Sequence, residues 1–442
     1  MFERIRYIIC LGITLGMANQ AATAQDTLTL ERCIELALEN NLEVQQSEIR
    51  TGTEGIYLRQ AKHNLLPSLS ANLGHSYSQG RFINPTTNQY VEENFMSGNQ
   101  SLNSSLLLFD GLRMFRNITQ QAHAYRAAQL EEQLAKEQTA LDVTSAYIQA
   151  LTARDIVFQI ENQVEVTRQQ VNRNTLLHQE GNIAPGTYYD LKGQYASELN
   201  QLNDAKNELN GSMIALFRLL NLPYNEATSL TSLQELPLST AQASDANALY
   251  QTAAERLGII KAADQRQKQA EFGLKAMRSA YFPTLSLGAG LSSNYSKDGR
   301  GSYYDQIQNN LGRSLSFSLS IPILSRFQVR NNVSLAKLNL LEAENIAQTR
   351  RNELQQTTNQ VLFNLEAAKE RYKNLVEQVQ YYTESFRVAE VRFNAGAINS
   401  VDFLIAKNKM DNANASLVIA RYQWHLRQRI VDYYNGEMAL DY

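Results

Sequence analysis

The sequence predicts a mainly α chain with a small β part, built twice in tandem. Three observations predict it. Two proline-free runs, 99 residues between Pro85 and Pro185 and 120 residues after Pro322, carry apolar residues at alternating spacings of three and four. Four short segments alternate apolar with small polar residues. Landmarks in the first half recur in the second at an offset of 214 to 216.

Residues 1–24 read as a secretory signal peptide. Arg4 and Arg6 precede the apolar run Tyr7–Met17, and Ala22-Thr23-Ala24 offers a small-x-small cleavage site before Gln25. Removing this segment leaves Cys33 as the one cysteine, so no internal disulfide is available. No other stretch reaches the 18 or so uninterrupted apolar residues of a membrane helix.

The repeat is seen in four places. Leu66-Pro67-Ser68-Leu69-Ser70 recurs as Phe282-Pro283-Thr284-Leu285-Ser286, and Glu180-Gly181-Asn182-Ile183 as Ala395-Gly396-Ala397-Ile398. Arg116-Asn117 returns as Arg330-Asn331, and Ala37-Leu38-Glu39 as Ala253-Ala254-Glu255. The first repeat is placed at 25–222 and the second at 245–442, with 223–244 as a linker or equatorial segment.

Each repeat then reads in the same order. A helix (30–63, then 245–280) leads into a strand pair (68–109, then 284–322). A long helix follows (112–179, then 326–393), then a tip and a shorter helix (187–220, then 400–437). A helix of 68 residues runs about 100 Å. Val361, Leu365, Ala368, Tyr372, Leu375, Val379, Tyr382, Phe386, Ala389 and Phe393 keep the heptad spacing without a break. Val143, Ala146, Ala150, Ala153 and Val157 keep it in the first repeat. A 3.5-residue period this long specifies left-handed coiled-coil packing; an ordinary bundle is the simpler alternative. Four helical columns per chain follow, two continuous and two stacked from shorter pieces. Gly181 and Gly396 stand where a helix reversal needs positive φ.

The strands are clearest at Leu315, Phe317, Leu319 and Ile321, which alternate with Ser314, Ser316, Ser318 and Ser320. Leu69, Ala71, Leu73, His75 and Tyr77 behave likewise, as do Leu285, Leu287, Ala289 and Leu291. Such strands suit a barrel between lipid and water, or a sandwich between core and solvent. Polar loops, Gln79–Ser97 and Ser296–Asn310, are expected within each pair. Four strands cannot close a barrel, and an open edge cannot sit in lipid. Three chains give twelve strands and a ring of twelve helical columns. The fold class that results is a long coiled-coil helical barrel plus a four-strand-per-chain share of a 12-stranded transmembrane β-barrel formed by a trimer.

Composition narrows the function. The 442 residues carry 41 basic and 44 acidic groups, a net charge of −3. That balance argues against a nucleic-acid-coating protein. Asn and Gln number 77, so much of the surface is wetted without charge. The five histidines, His63, His75, His123, His178 and His425, form no His-x-x-x-His spacing, and no Cys-x-x-Cys occurs. No enzyme, metal site or cofactor is expected. Glu342/Glu344 and Glu366/Glu370 read as solvated helix faces, and His178 with Tyr188/Tyr189 as packing at a turn.

Helix, strand pair, long helix, tip and helix, twice over after a signal peptide, resemble the TolC family of outer-membrane efflux proteins. The residues most similar to that family are Arg392-Phe393-Asn394-Ala395-Gly396 with Asp402-Phe403-Leu404, at its second helical tip. His178-Gln179-Glu180-Gly181-Asn182-Ile183 is the weaker first tip, and Leu66-Pro67 and Phe282-Pro283 resemble its helix-to-strand turns. The resemblance covers essentially the whole mature chain. It implies a homotrimeric exit duct in the Gram-negative outer membrane, reaching into the periplasm. It also implies a periplasmic adaptor docked at the tips and an inner-membrane pump of RND or ABC type. Docking then falls to Gly181, Asn182, Ile183, Gly396, Ala397 and Ile398. Inward acidic rings constrict the periplasmic end in the family. Asp402 matches such a position, Asp190 is a contributor by position, and Phe393 lies beside them. Where some members carry a second aspartate this chain has Ile405. An exported structural coiled coil without a pore is the alternative, though it gives no reason for four amphipathic strands. A general diffusion porin conflicts with the helical half of the chain.

Overall fold

The computed structural model describes residues 27–83, 88–232, 245–297 and 299–436. The segment read as a signal peptide and most of the expected linker therefore lie outside the described residues. Fifteen helices and strands follow in order among the described residues. They are β1 (Thr27–Leu28), α1 (Leu30–Asn40), α2 (Leu42–His63), β2 (Ser68–Ile83), β3 (Tyr90–Phe109), α3 (Arg113–Gln179), α4 (Pro185–Leu220) and β4 (Ser229–Leu230). Then come α5 (Ala246–Arg256), α6 (Gly258–Arg278), β5 (Thr284–Ser296), α7 (Tyr303–Asn309), β6 (Gly312–Ser320), α8 (Gln328–Asn394) and α9 (Ser400–Tyr434). The chain is mainly helical with a small sheet, as its periodicities predict. The described residues divide into two compact units, one drawn from 27–46, 133–257 and 353–436, the other from 47–132 and 258–352.

The first unit is helical. The heptad residues Val143, Ala146, Ala150, Ala153, Val157, Val164 and Val171 are all buried, which accounts for the straight run of α3. Leu30, Ile34 and Ala37 of α1 pack with Val143, Tyr147 and Leu151 of α3 and with Leu216, Phe217 and Leu220 of α4. Two residues of β1 pair in parallel with β4, a short ladder inside the segment expected to be a linker. The Tyr147 hydroxyl bridges to the carbonyls of Leu28 (2.9 Å) and Thr231 (2.6 Å), and Arg154 donates to the Leu230 carbonyl at 2.8 Å. Burial pushes the Tyr147 phenol up. Asp155 accepts from Arg154, from Arg421 at 3.0 Å and from the Tyr422 hydroxyl at 2.7 Å.

The second unit holds the sheet, in the antiparallel order β2-β3-β5-β6. Leu285 faces Leu319, Leu287 faces Phe317 and Ala289 faces Leu315, all on one side. Ser286 faces Ser318, Gly288 faces Ser316 and Gly290 faces Ser314 on the other. Leu73 is 80% and Leu315 68% exposed, Leu285 and Leu287 are half-buried, and among the described residues no second sheet covers this face, which counts against the sandwich alternative. Helix contacts in this unit are polar as well as apolar. Arg266 grips Glu131 at 2.9 and 2.7 Å, and Arg116 donates to the Lys275 carbonyl at 2.7 Å and to Ser279 at 2.8 Å.

Several expectations need correction. The helices expected at 30–63 and 245–280 are each broken, at Asn41 and at Leu257. Both residues turn extended (ψ 129° and 148°) while their N–H groups still close the preceding helix, on Ala37 and Ala253. Gly258 follows the second break directly, whereas neither glycine nor proline stands beside Asn41. The loop expected at Gln79–Ser97 is shorter, because the β2–β3 ladder continues to Ile83 opposite Tyr90, with no proline before Pro85 to stop it. The loop at Ser296–Asn310 contains α7, nucleated by a reciprocal cap between Ser302 and Asp305. Helix α9 ends at Tyr434 instead of 437. The step into each long helix is made by two consecutive left-handed residues, Gly111-Leu112 (φ 69° and 68°) and Arg326-Phe327 (φ 49° and 60°).

Candidate functional site

The two turns that end α3 and α8 lie in the first unit and are built alike. Gly181 donates to the His178 carbonyl at 3.0 Å and Asn182 to that of Leu177 at 2.8 Å. Gly396 and Ala397 repeat this with Phe393 (3.0 Å) and Arg392 (2.8 Å). This paired closure satisfies the last helical carbonyls and requires a left-handed residue, which the glycines supply at φ 73° and 71°. The following helices start differently. Pro185 occupies the first turn of α4, where its missing N–H costs nothing, whereas the Asn399 side chain accepts the Asp402 N–H at 2.9 Å.

Polar links tie one turn to the other. Ser400 Oγ donates to Asp190 Oδ2 at 2.7 Å. The Arg173 guanidinium donates to the side chain of Asn394 and to its carbonyl. Gln170 reaches Glu390 at 3.5 Å. Behind them Phe393 stacks on Phe403 at 4.6 Å, within an apolar cluster that includes Val171, Leu191 and Phe386. Ile398 packs on the same cluster. A groove of about 400 Å³ runs between the turns, lined by Arg173, Asn182, Ile183, Phe393, Gly396 and Ile398. His178 stacks on Tyr188 at 4.6 Å, the packing its sequence position suggests. Lys192 lowers the Tyr188 phenol by hydrogen bonding, and the same contact raises the Lys192 ammonium.

The structure thus gathers Asn182, Ile183, Phe393, Gly396 and Ile398 around one groove, with Gly181 and Ala397 in its turns. Asp190 is occupied by Ser400, while the Asp402 side chain is exposed at the start of α9. Sequence reasoning missed Arg173, and placed Asn394 and Ser400 in the second tip without their partners, which sit about 210–220 positions away.

It also missed a buried ionic cluster further along α4 and α9. Lys407 Nζ lies 2.8 Å from Glu198 Oε1 and 2.6 Å from Asp411 Oδ2, with Lys407 1% and Glu198 2% exposed. Gln194 donates to Glu198 at 2.8 Å. Burial pushes the Asp411 carboxyl up, against the pull of Lys407. The i, i+4 spacing of Lys407 and Asp411 was the only sequence signal.

Among the described residues no helix is long and apolar enough to cross a membrane, and no acidic, His or Cys group could hold a metal ion. The chain is similar to the outer membrane protein TolC of Escherichia coli, with 24% identity over 431 residues, 95% of this chain and 84% of that one. Its fold is that of a membrane protein from Pseudomonas aeruginosa (TM-score 0.80, 17% identity, 92% of this chain and 89% of that one). The Vibrio cholerae outer membrane protein VceC shares it too (TM-score 0.78, 16% identity, 92% and 96%). The family model described as outer membrane efflux protein matches residues 33–222 and 239–431. With both matched stretches together covering most of the chain, this protein belongs to the outer membrane efflux protein family, the transport channels of the Gram-negative outer membrane.

Proposed function

We propose that three copies of the mature chain, cut after Ala24, close into one passive exit duct. Each copy gives four strands to a 12-stranded barrel and its helices to a tube in the periplasm. One observation carries this reading: the sheet has a leucine face and a serine-glycine face, and among the described residues the outer edges of β2 and β6 have no partner strand. Unpaired edges are excluded from lipid, so copies must complete the sheet, and twelve strands is the first count that leaves a lumen. The two tip turns with their groove are where a periplasmic adaptor docks, coupling the duct to an inner-membrane RND or ABC pump. Asp402, exposed at the start of α9, contributes a ring of carboxylates that narrows the periplasmic end. Asp190 and Phe393 hold that end closed through Ser400 and Phe403. Energy comes from the pump, and this chain performs no chemistry of its own.

The test is the mass of the membrane-extracted protein in mild detergent, followed by conductance of that species in a planar bilayer. Three chains and discrete cation-selective steps are expected. A monomer without conductance overturns the duct. Asp402→Arg is expected to lower conductance and weaken cation preference; if it alters neither, the ring is elsewhere.

A further inference from the structure

The segment between β5 and β6 is built in unusual detail for a surface loop. Gln306, 4% exposed, plugs it: its Oε1 accepts from Ser296 N at 3.0 Å, and its Nε2 donates to the carbonyls of Gly299 and Gly301 at 3.4 and 3.3 Å. Ser293 Oγ donates to the Ile307 carbonyl at 2.8 Å, and Asn310 to the Asn294 carbonyl at 2.7 Å. These bonds fix the loop against the sheet with its own polar groups paired.

The register shows which face it covers. Leu73 pairs with Gln100 and Gln100 with Ser293, while His75 pairs with Gly98 and Gly98 with Tyr295. Directly paired residues share a face, so all of these lie on the side of Leu73 and Leu291, not on the serine side. On that side Gln100 donates to the Tyr303 hydroxyl at 2.9 Å. The Tyr303 ring stacks on His75 at 5.9 Å and meets Tyr295 at 4.9 Å. A side chain at Gly98 would fall 2.7 Å from the His75 ring, so glycine is what lets the imidazole lie beneath Tyr303. Helix α7 is therefore folded outward over the apolar face, and Tyr304, 81% exposed, projects from it.

We propose that α7 is an interfacial anchor seated in the outer-leaflet headgroup zone, with Tyr304 in contact with lipid, and that this loop is held away from the mouth of the lumen. The inference rests on the duct reading for the orientation of the sheet. A row of hydroxyl-bearing rings continuous with a leucine face matches the boundary between acyl chains and headgroups, where amphipathic rings are favoured. Lipid is the occupant because the ring row and the leucines form one surface.

The experiment uses the full mature protein reconstituted in phosphatidylcholine brominated either near the headgroup or deep in the acyl chain. Tyr304→Trp and Phe317→Trp each add one indole to the single Trp424, whose stacking on Tyr372 sets the background. The indole from Tyr304→Trp is expected to lose most of its emission to shallow bromine, and that from Phe317→Trp to deep bromine. If Phe317→Trp is quenched and Tyr304→Trp is quenched only by aqueous iodide, the anchor is overturned and the duct stands. If neither is quenched by lipid, the orientation of the sheet is wrong and both readings fall. A bulky maleimide on exposed Gln308→Cys is expected to leave conductance unaltered; a block would place the loop over the lumen.

Discussion

Lys407 and Glu198 are separated by 209 positions, yet their ammonium and carboxylate meet at 2.8 Å with almost no access to water. Asp411 completes the cluster from the turn after Lys407, leaving one cation between two carboxylates. Removing water from three charges is costly, and mutual attraction offsets it only while all three remain.

Lys407→Met is therefore expected to lower stability by about 3–5 kcal/mol, because two buried carboxylates lose their counter-ion. Replacing all three with apolar residues of similar size is expected to cost much less. Denaturant melts of the detergent-solubilised protein check both. The cluster also has a pH signature. Burial raises the folded-state value of Asp411 above its unfolded value, so the folded chain holds that proton more tightly. Its contribution to stability is then highest below the unfolded value and is lost as pH rises through the folded one. Asp411→Asn is expected to flatten that part of the profile.

Ser400→Ala removes the hydroxyl that Asp190 accepts across the two turns. A hydrogen bond to a charged group contributes about 1.5–3 kcal/mol, so local opening of 395–403 is expected to rise by roughly tenfold to a hundredfold. Amide hydrogen exchange in that segment reads it directly. Unchanged protection would mean that Phe393 on Phe403, with Arg173 on Asn394, holds the turn by itself.

Gly181→Ala and Gly396→Ala force a side chain into left-handed backbone, at a cost of about 1–2 kcal/mol each. Neither glycine has a neighbour within 4 Å of the added carbon, so the cost is purely of the backbone. The two substitutions should shift the melt equally, since the turns share one hydrogen-bond pattern. Unequal shifts would show that one turn makes further contacts.

Cys33 is fully buried between α1 and its neighbours, and its thiol is pushed up to about 12, chiefly by burial. Thiolate is then scarce at neutral pH, so alkylation of the folded protein is expected to be very slow and to track unfolding. Iodoacetamide labelling against denaturant should follow the same transition as circular dichroism. Rapid labelling of the folded chain would show that α1 opens locally.

How far the sequence carries can be read from single residues. The heptads of α3 were legible because Val143, Ala146, Ala150, Ala153, Val157, Ile160 and Val164 follow one another along the seam with Val171 a heptad on, and all but the half-buried Ile160 are buried. The serine alternation of β6 fixed its two faces for the same reason. The break at Asn41 was hidden, since no glycine or proline stands beside it, whereas Gly258 beside Leu257 was a signal that the apolar spacing outweighed. Lys407 was invisible as a buried charge because its partner comes from another helix. The Ser302-x-x-Asp305 cap of α7 was present in the sequence but sat in a segment polar enough to pass for a loop. The tips were half legible: glycine announces the turn, whereas the contacts of Asp190 and Arg173 depend on which helix faces which.

Several serines of the sheet reach across to the backbone of the neighbouring strand. Ser68 Oγ donates to the Ser105 carbonyl, Ser314 to that of Gly290 and Ser316 to that of Gly288, at 3.3–3.4 Å. Their hydrogens are engaged, and what they turn toward water is mainly oxygen lone pairs on a neutral surface. In the duct proposed above, a wall of this kind gives a passing molecule little to cling to, whatever its charge or shape. Dwell time in the membrane segment should be short and nearly indifferent to solute identity, so discrimination must occur before a molecule reaches the strands.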